Sequence, residues 1–381
     1  MNPFREVIYL NHVHPIAAPY QVSHRDGIAW LMKAAAKRFE EEPQSGQDRV
    51  LNLYERLIGN TGLQFRSTIV EDYTHCEWEQ MQLYRKGTRM DGSSSAWYAP
   101  PLERRMEYYD KYSRQMLSEA FADCEKAPQF LIEVSCTGYY APYPMQELVL
   151  AKNWQSQSQL FKLGHMGCYA AVPALNLAAR LILSDAENAR EASIFTVELS
   201  TLHLRPDAQQ LDLIIANILF ADGAARLDLS REKKPGSLAL LHHTETLIPG
   251  TADLMTWKLC DSSFYMTLNR KVNVKIADVI AREVKTFLEP MGMTWRDMDR
   301  FAIHPGGTKI IDTVQESLEL NEEQVRHSKQ VLANWGNMSS STLPFVWSGL
   351  QRDPHVRRGE YILSMAFGPG LMLCMNLMQK C

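Results

Sequence analysis

This chain is short of cysteine, of charge of one sign and of long apolar runs, and each shortage removes a class of protein. Its 381 residues include only seven cysteines, Cys76, Cys124, Cys136, Cys168, Cys260, Cys374 and Cys381. They are scattered, odd in number and never spaced CxxC, so no disulfide framework is expected and a reducing, cytoplasmic setting is. The 40 Lys and Arg against 44 Asp and Glu leave a net charge of −4, which gives no footprint for nucleic acid. The longest apolar stretch, around 365–378, is broken by Gly368-Pro369-Gly370 and falls short of the ~20 residues of a membrane span. The start, MNPFREVIYLNHVHP, lacks a basic region followed by an apolar core, so no signal peptide is expected. GxGxxG, a P-loop, HExxH and GxSxG are all missing, which removes familiar signatures of dinucleotide, nucleotide, zinc-peptidase and serine-hydrolase sites. His12 and His14 have strand spacing but no supporting ligand pattern, so no metal site is expected.

What is present is a folded chain with a faint internal duplication. At 45% apolar residues it is large enough for two core-bearing halves, taken as residues 1–240 and 241–381. In the first, helix-like YSRQMLSEAFADCEKAP leads into FLIEVSCTGYYAPYPMQEL. In the second, helix-like KIADVIAREVKTFLEPMGMTWRDMD leads into FAIHPGGTKIIDTVQESL. Both run amphipathic helix, short strand, Gly/Pro corner, helix. The corners at Gly167-Cys168 and Asn337-Met338 correspond in turn, so a pseudo-twofold axis would gather all four. Residues 193–200, 211–220 and 359–367 read as β-rich, residues 85–115 as a surface excursion, and the stretch from about 230 to 251 as the join between halves.

Three residues carry the chemistry, each expected at a strand-to-helix corner. Cys168 precedes an Ala/Leu-rich helix in which Pro173 is tolerable only near the first turn. A thiol there faces unpaired N–H groups and the positive end of the helix dipole, which favour the thiolate; the alternative is a small buried core cysteine. His304 follows a short apolar strand, and Pro305-Gly306-Gly307 turn the chain so that the imidazole is offered to a ligand. It can take the cysteine proton, or merely cap or fill the core. Asn337 can donate to a thioester oxygen on which negative charge develops when CO2 is lost, or serve as a helix N-cap.

GCYAA at Cys168, HPGGTKII at His304, GNMSS at Asn337 and the closing AFGPGL resemble the type III polyketide synthases, the chalcone-synthase-like members of the thiolase superfamily. The resemblance runs over nearly the whole chain and includes SCTGYYAP and LFADGAA. It implies an α/β fold of thiolase type, a duplicated five-layered αβαβα arrangement, in a homodimer. It also implies a Cys168–His304–Asn337 triad that loads an acyl-CoA starter, decarboxylates malonyl-CoA and condenses the two, with CoA thioesters as substrates and no metal or redox cofactor. Phe220 matches the gatekeeper phenylalanine and Met266 a second gatekeeper place. Thr137, Ser200 and Ser339 match cavity-lining positions, and Arg66 is a candidate for CoA at the tunnel mouth. Ala141 departs from the family's interface-crossing methionine, and residues 200–210 depart from the plant pattern, giving the chain a bacterial look. A pyrone, resorcinol or phloroglucinol-type product is implied. The alternatives are a single-round condensing enzyme of the ketoacyl synthase III kind, with an acyl carrier protein as donor, and a silent thiolase-fold partner subunit.

Overall fold

The computed structural model describes residues 7–38, 44–57, 59, 61–85, 100–184, 191–206, 208–260 and 263–381. The first half contains β1 (Ile8–Ala17), β2 (Tyr20–Ser23), α1 (His24–Arg38), α2 (Gln44–Leu57), β3 (Phe65–Thr68), α3 (Leu102–Ala120) and β4 (Phe130–Ser135). It continues with α4 (Pro144–Ala151), β5 (Gln159–Gly164), α5 (Ala171–Ser184), β6 (Glu191–Leu199), α6 (Leu211–Leu219) and β7 (Asp222–Ser230). The second half contains β8 (Leu238–Leu247), β9 (Met255–Leu259), β10 (Phe264–Leu268), α7 (Lys271–Leu288), β11 (Arg300–Ile303) and α8 (Thr308–Ser317). It ends with α9 (Glu322–Trp335), α10 (Thr342–Arg352), β12 (Tyr361–Gly368) and β13 (Met372–Lys380).

The pairing makes the duplication explicit. The main sheet runs β11-β12-β13-β8-β1-β7-β6-β4-β5. In one half β4 and β6 are parallel, and β6–β7 and β7–β1 antiparallel. In the other β11 and β12 are parallel, and β12–β13 and β13–β8 antiparallel. Strand β1 meets β8 antiparallel over three residue pairs, Ile8–Leu240, Tyr9–Ala239 and Leu10–Leu238. That short antiparallel seam is what a pseudo-twofold axis requires. By the same operation the corner after β4, with Cys136, matches the corner after β11, with His304. The Cys168 turn before α5 matches the Asn337 turn before α10.

Three apolar cores separate the layers. Strand residues alternate faces, so Phe130, Ile132 and Val134 of β4 enter a central core with α5 and α10, while Leu131 enters one with α1 and α3. On β12, Ile362 and Ala366 face the central core, and Leu363, Met365 and Phe367 face one with α7, α8 and α9. Outer helices, sheet, central helices, sheet and outer helices give the five-layered thiolase-like αβαβα arrangement. No helix among the described residues is long and apolar enough to cross a membrane.

Four expectations change. Residues 211–219 form α6, not a strand, because the buried positions Leu213, Ile214, Asn217 and Ile218 follow a helical period that outweighs the β-propensity of isoleucine. Residues 238–247 form β8 rather than a join, so a division after residue 240 would cut a strand that pairs with both β1 and β13. The excursion expected over 85–115 already contains α3 from Leu102 onward, and its residues 86–99 lie outside the described residues. Asn337 follows helix α9, not a strand, and is bridged to Phe220, two residues before β7.

Candidate active site

Glycines set the Cys168 turn. Gly167 has φ +87°, and a Cβ there would lie 2.5 Å from Pro369 Cδ. Gly368 leaves the room that the Tyr169 ring fills, 2.2 Å from where its Cβ would be. The closing Gly-Pro-Gly therefore clamps the residues on either side of Cys168. Helix α5 begins three residues on, with Pro173 at its third position, where no intrahelical N–H is needed. Burial pushes the Cys168 thiol up to about 12, against the opposing pull of a hydrogen bond from Ser339 and of its own backbone. That holds Cys168 as a thiol, not as the thiolate expected from the helix terminus. Desolvation outweighs the dipole here.

His304 leaves β11 with its N–H on Met365 O at 2.8 Å. It is 2% exposed, and neither ring nitrogen has a hydrogen-bond partner among the described residues. Burial lowers its pKa to about 3, so the ring is neutral. A buried imidazole with both nitrogens unpaired is costly unless something else is to occupy that space. Asn337 Nδ2 donates to Gly306 O at 3.2 Å, beside the histidine, and its Oδ1 accepts from Ser339 N at 2.9 Å. The amide thus caps its own turn and keeps one N–H free. Its backbone is fixed on both sides of Phe220, through Leu219 O at 3.0 Å and Ala221 N at 2.8 Å. Asn337 thereby joins the His304 corner, and Ser339 joins the Cys168 turn. No hydrogen bond links Cys168 directly to His304 or Asn337 among the described residues.

Thr137, Cys168, Ser200, Phe220, Met266 and Ser339 line one cavity. At about 10 Å³ it has room for about one water. Thr137 is less available than expected, since its hydroxyl donates to Glu198 Oε2 at 2.9 Å and accepts from Leu199 N at 2.9 Å. Arg66 is not at a mouth at all: it is fully buried, its guanidinium on the carbonyls of Asn217 and Phe220 and over the Tyr73 ring. Burial brings it down to about 9. It braces the Phe220 segment from behind and cannot meet a solvent-borne phosphate.

Two lining residues escaped the sequence reading. Trp257, on the β9–β10 hairpin, donates from Nε1 to Cys136 O at 2.7 Å, and its own carbonyl is held by His165 Nε2 at 2.9 Å. Its ring lies between Phe220 and Phe264, with centroids at 6.4 and 5.6 Å. An aromatic nine residues before Met266 was the available signal. Cys136 is the other; its thiol contacts Glu198 Oε1 at 3.1 Å and Ser339 Oγ at 3.2 Å. Glu198 is fully buried, and desolvation raises its pKa against hydrogen bonds from Ser340, Cys136 and Thr137.

Residues 239–380 match the family model for the C-terminal domain of chalcone and stilbene synthases. The chain is 28% identical over 271 residues to the phloroglucinol synthase of Pseudomonas fluorescens, covering 69% of this chain and 76% of that one. It is 24% identical over 355 residues to the 1,3,6,8-tetrahydroxynaphthalene synthase of Streptomyces coelicolor, covering 91% and 86%. The crystal structure of PKS-I from the brown alga Ectocarpus siliculosus superposes over 100% of both chains, with a TM-score of 0.84 at 24% identity.

Proposed function

We propose that this chain is a chalcone-synthase-like type III polyketide synthase, a decarboxylative condensing acyltransferase, and that its residues divide that work. An acyl-CoA starter acylates Cys168. Neutral His304 accepts the thiol proton as the sulfur attacks and passes it to the CoA sulfur as the carbon–sulfur bond to CoA breaks, so CoA leaves as its thiol, His304 is neutral again and no free thiolate need persist in a site that disfavours it. Malonyl-CoA then places its thioester oxygen between a His304 N–H and the unused N–H of Asn337. Loss of CO2 leaves an enolate on that oxygen, and each donor is worth ~3 kcal/mol in the barrier. The enolate carbon attacks the Cys168 thioester carbonyl, the bond to the Cys168 sulfur breaks, and the chain, now two carbons longer on CoA, returns to Cys168 for each further round. CO2 loss drives the step, so the proposal needs no metal or redox cofactor. Repeated rounds and ring closure give a phenolic or pyrone product, in keeping with relatives named for phloroglucinol and tetrahydroxynaphthalene.

The observation that carries this reading is the buried His304 ring, both nitrogens without a partner among the described residues, at a corner tied to Asn337, whose Oδ1 accepts from Ser339, a lining residue of the Cys168 cavity. The test is incubation with malonyl-CoA and a panel of short, long and aromatic acyl-CoAs, read by mass spectrometry. Ring products of several rounds are expected. The narrow cavity favours one rival, a single condensation, which would yield only a β-keto acid or its thioester. Absence of malonyl-CoA decarboxylation by the purified protein would instead mark a silent subunit.

The working unit in this proposal is a homodimer in the cytoplasm. Tyr139 and Tyr140, 50% and 43% exposed beside Ala141, and the unpaired edge of β5 offer an apolar face for a second copy. All seven cysteines are free, which suits a reducing compartment. A monomer by analytical ultracentrifugation would remove the dimer from the proposal.

A further inference from the structure

A recess of about 630 Å³ opens at the end of β11 away from His304, lined by Arg300, Glu323, Arg326, Pro354, His355 and Arg357. Three elements meet there: the start of β11, helix α9 and the loop of residues 353–360 that leads into β12. The loop is held by its own backbone, with Val356 N on Asp353 O and Glu360 N on Arg357 O, both at 3.2 Å, and Gly359 N on Lys380 O at 2.8 Å. The recess is therefore preformed. The carboxylates around it are unequally placed. The side chains of Asp353 and Glu360 are mostly buried, at 9% and 16% exposed. Asp353 is occupied by Arg326, by His327 Nε2 at 2.9 Å and by His355 N at 2.8 Å. Glu323 is the carboxylate that lines the recess, beside three arginines. Those arginines keep donors in reserve. Arg300 donates to Asp299 O at 3.0 Å and His355 O at 3.4 Å. Glu323 and Glu360 stand 3.7 and 3.6 Å from it, too far for good hydrogen bonds, and its Nε is buried without a hydrogen-bond partner among the described residues. Arg357 is exposed, and its guanidinium makes no hydrogen bond or ion pair among the described residues.

We propose that this recess binds a small molecule through a diphosphate group. Its charged donors are arginines, whose planar forks match oxyanions and lose their hydration more readily than lysine. They come from three elements and so approach from different directions. A tetrahedral phosphate offers oxygens to all of them, whereas a carboxylate offers two in one plane. Two linked phosphates can be shared between Arg300 and Arg326, which are held by β11 and α9, and Arg357 on the loop. The volume is that of an ordinary small-molecule site. The wall is charged rather than apolar, so the anionic group supplies the affinity and the rest of the ligand can remain in solvent. His304 lies four residues from Arg300 along the same strand, ~13 Å at 3.3 Å per residue. The recess is thus separate from the Cys168 cavity, and its ligand need not be a substrate of the chemistry there.

The test is calorimetric titration of the full-length protein with inorganic pyrophosphate, backed by thermal shift, with citrate titrated in parallel. Saturable pyrophosphate binding is expected. Arg357→Ala weakens it about tenfold or more, the loss of one hydrogen bond between charged groups. Thermal unfolding of that variant without ligand matches the wild type, because Arg357 gives up no partner. Arg357→Lys keeps the charge but not the fork and recovers only part of the affinity. Glu323→Gln tightens binding about threefold, by removing a carboxylate that competes for Arg300 and Arg326. A damaged fold would not produce that gain. Pyrophosphate affinity unchanged in both Arg357→Ala and Glu323→Gln places the anion elsewhere and overturns the proposal. So does the absence of saturable binding to the wild type by either method. Citrate binding tighter than pyrophosphate, with the same dependence on Arg357, overturns the assignment to a diphosphate.

Discussion

Replacing Trp257 by alanine should lengthen the product and weaken the fold by a calculable amount. The cavity holds about 10 Å³, and the indole of Trp257 is one of the largest groups in its wall. Full burial of a tryptophan is worth ~3–5 kcal/mol against alanine. Trp257 is only partly buried, so roughly 2 kcal/mol is expected from packing. Its Nε1–H also satisfies the Cys136 carbonyl at 2.7 Å, and orphaning that acceptor adds ~1 kcal/mol. A loss of about 3 kcal/mol in urea unfolding is therefore expected. Trp257→Phe keeps a ring and should lose only about 1 kcal/mol. In product assays the alanine variant should release chains heavier by whole two-carbon units, since the space vacated lies beside Phe220 and Met266. If a folded Trp257→Ala enzyme gives the wild-type mass distribution, the wall at Trp257 does not limit chain growth and the volume argument is wrong.

Asn337→Ala should lower malonyl-CoA decarboxylation by about 10²–10³-fold in kcat, as loss of one donor to a developing oxyanion does; a CO2-release assay reads it, and a change under tenfold would remove Asn337 from that role. Gly167→Ala should destabilise by roughly 2–3 kcal/mol, from a side chain at φ +87° and a 2.5 Å approach to Pro369; thermal unfolding checks this, and a silent substitution would show that the turn adapts. His304 supplies a pH signature. Its folded pKa is about 3 against an ordinary 6.5, so between those values the unfolded chain binds the proton and the folded one does not. Stability conferred this way is fully present above about pH 6.5 and falls as pH drops, by ~2 kcal/mol at about pH 5. His304→Gln should lack that acid loss in denaturant titrations; an identical slope in both proteins would mean the imidazole is solvated.

The three corners of the proposed triad were readable because the residues that shape each one are themselves marked in the chain. Gly167 before Cys168, Pro305-Gly306-Gly307 after His304 and Gly336 before Asn337 announce backbone turns by what a Cβ or a ring would forbid. The repeated order of helix, strand, corner and helix announced the duplication for the same reason. Reading residues 211–220 by β-propensity failed where their period, 213, 214, 217 and 218, would have succeeded. Arg66 was misplaced because a cation in sequence carries no sign of its burial; only the packing of β3 behind Phe220 decides that it serves backbone carbonyls.

By itself the sequence determined the class of fold, the three proposed reacting groups and the turns that present them, since glycine, proline and hydrophobic period act through local sterics and burial. The tertiary structure alone decided the protonation and the neighbours of those groups. Cys168 is held as a thiol and His304 as a neutral ring because both are desolvated. Cys136, Glu198 and Trp257 come together because β4 lies beside β6 and the β9–β10 hairpin reaches the corner after β4 through Trp257. Sequence separations of 62 and 121 residues are closed only by that packing, and desolvation and proximity are properties of the packed interior rather than of any segment alone.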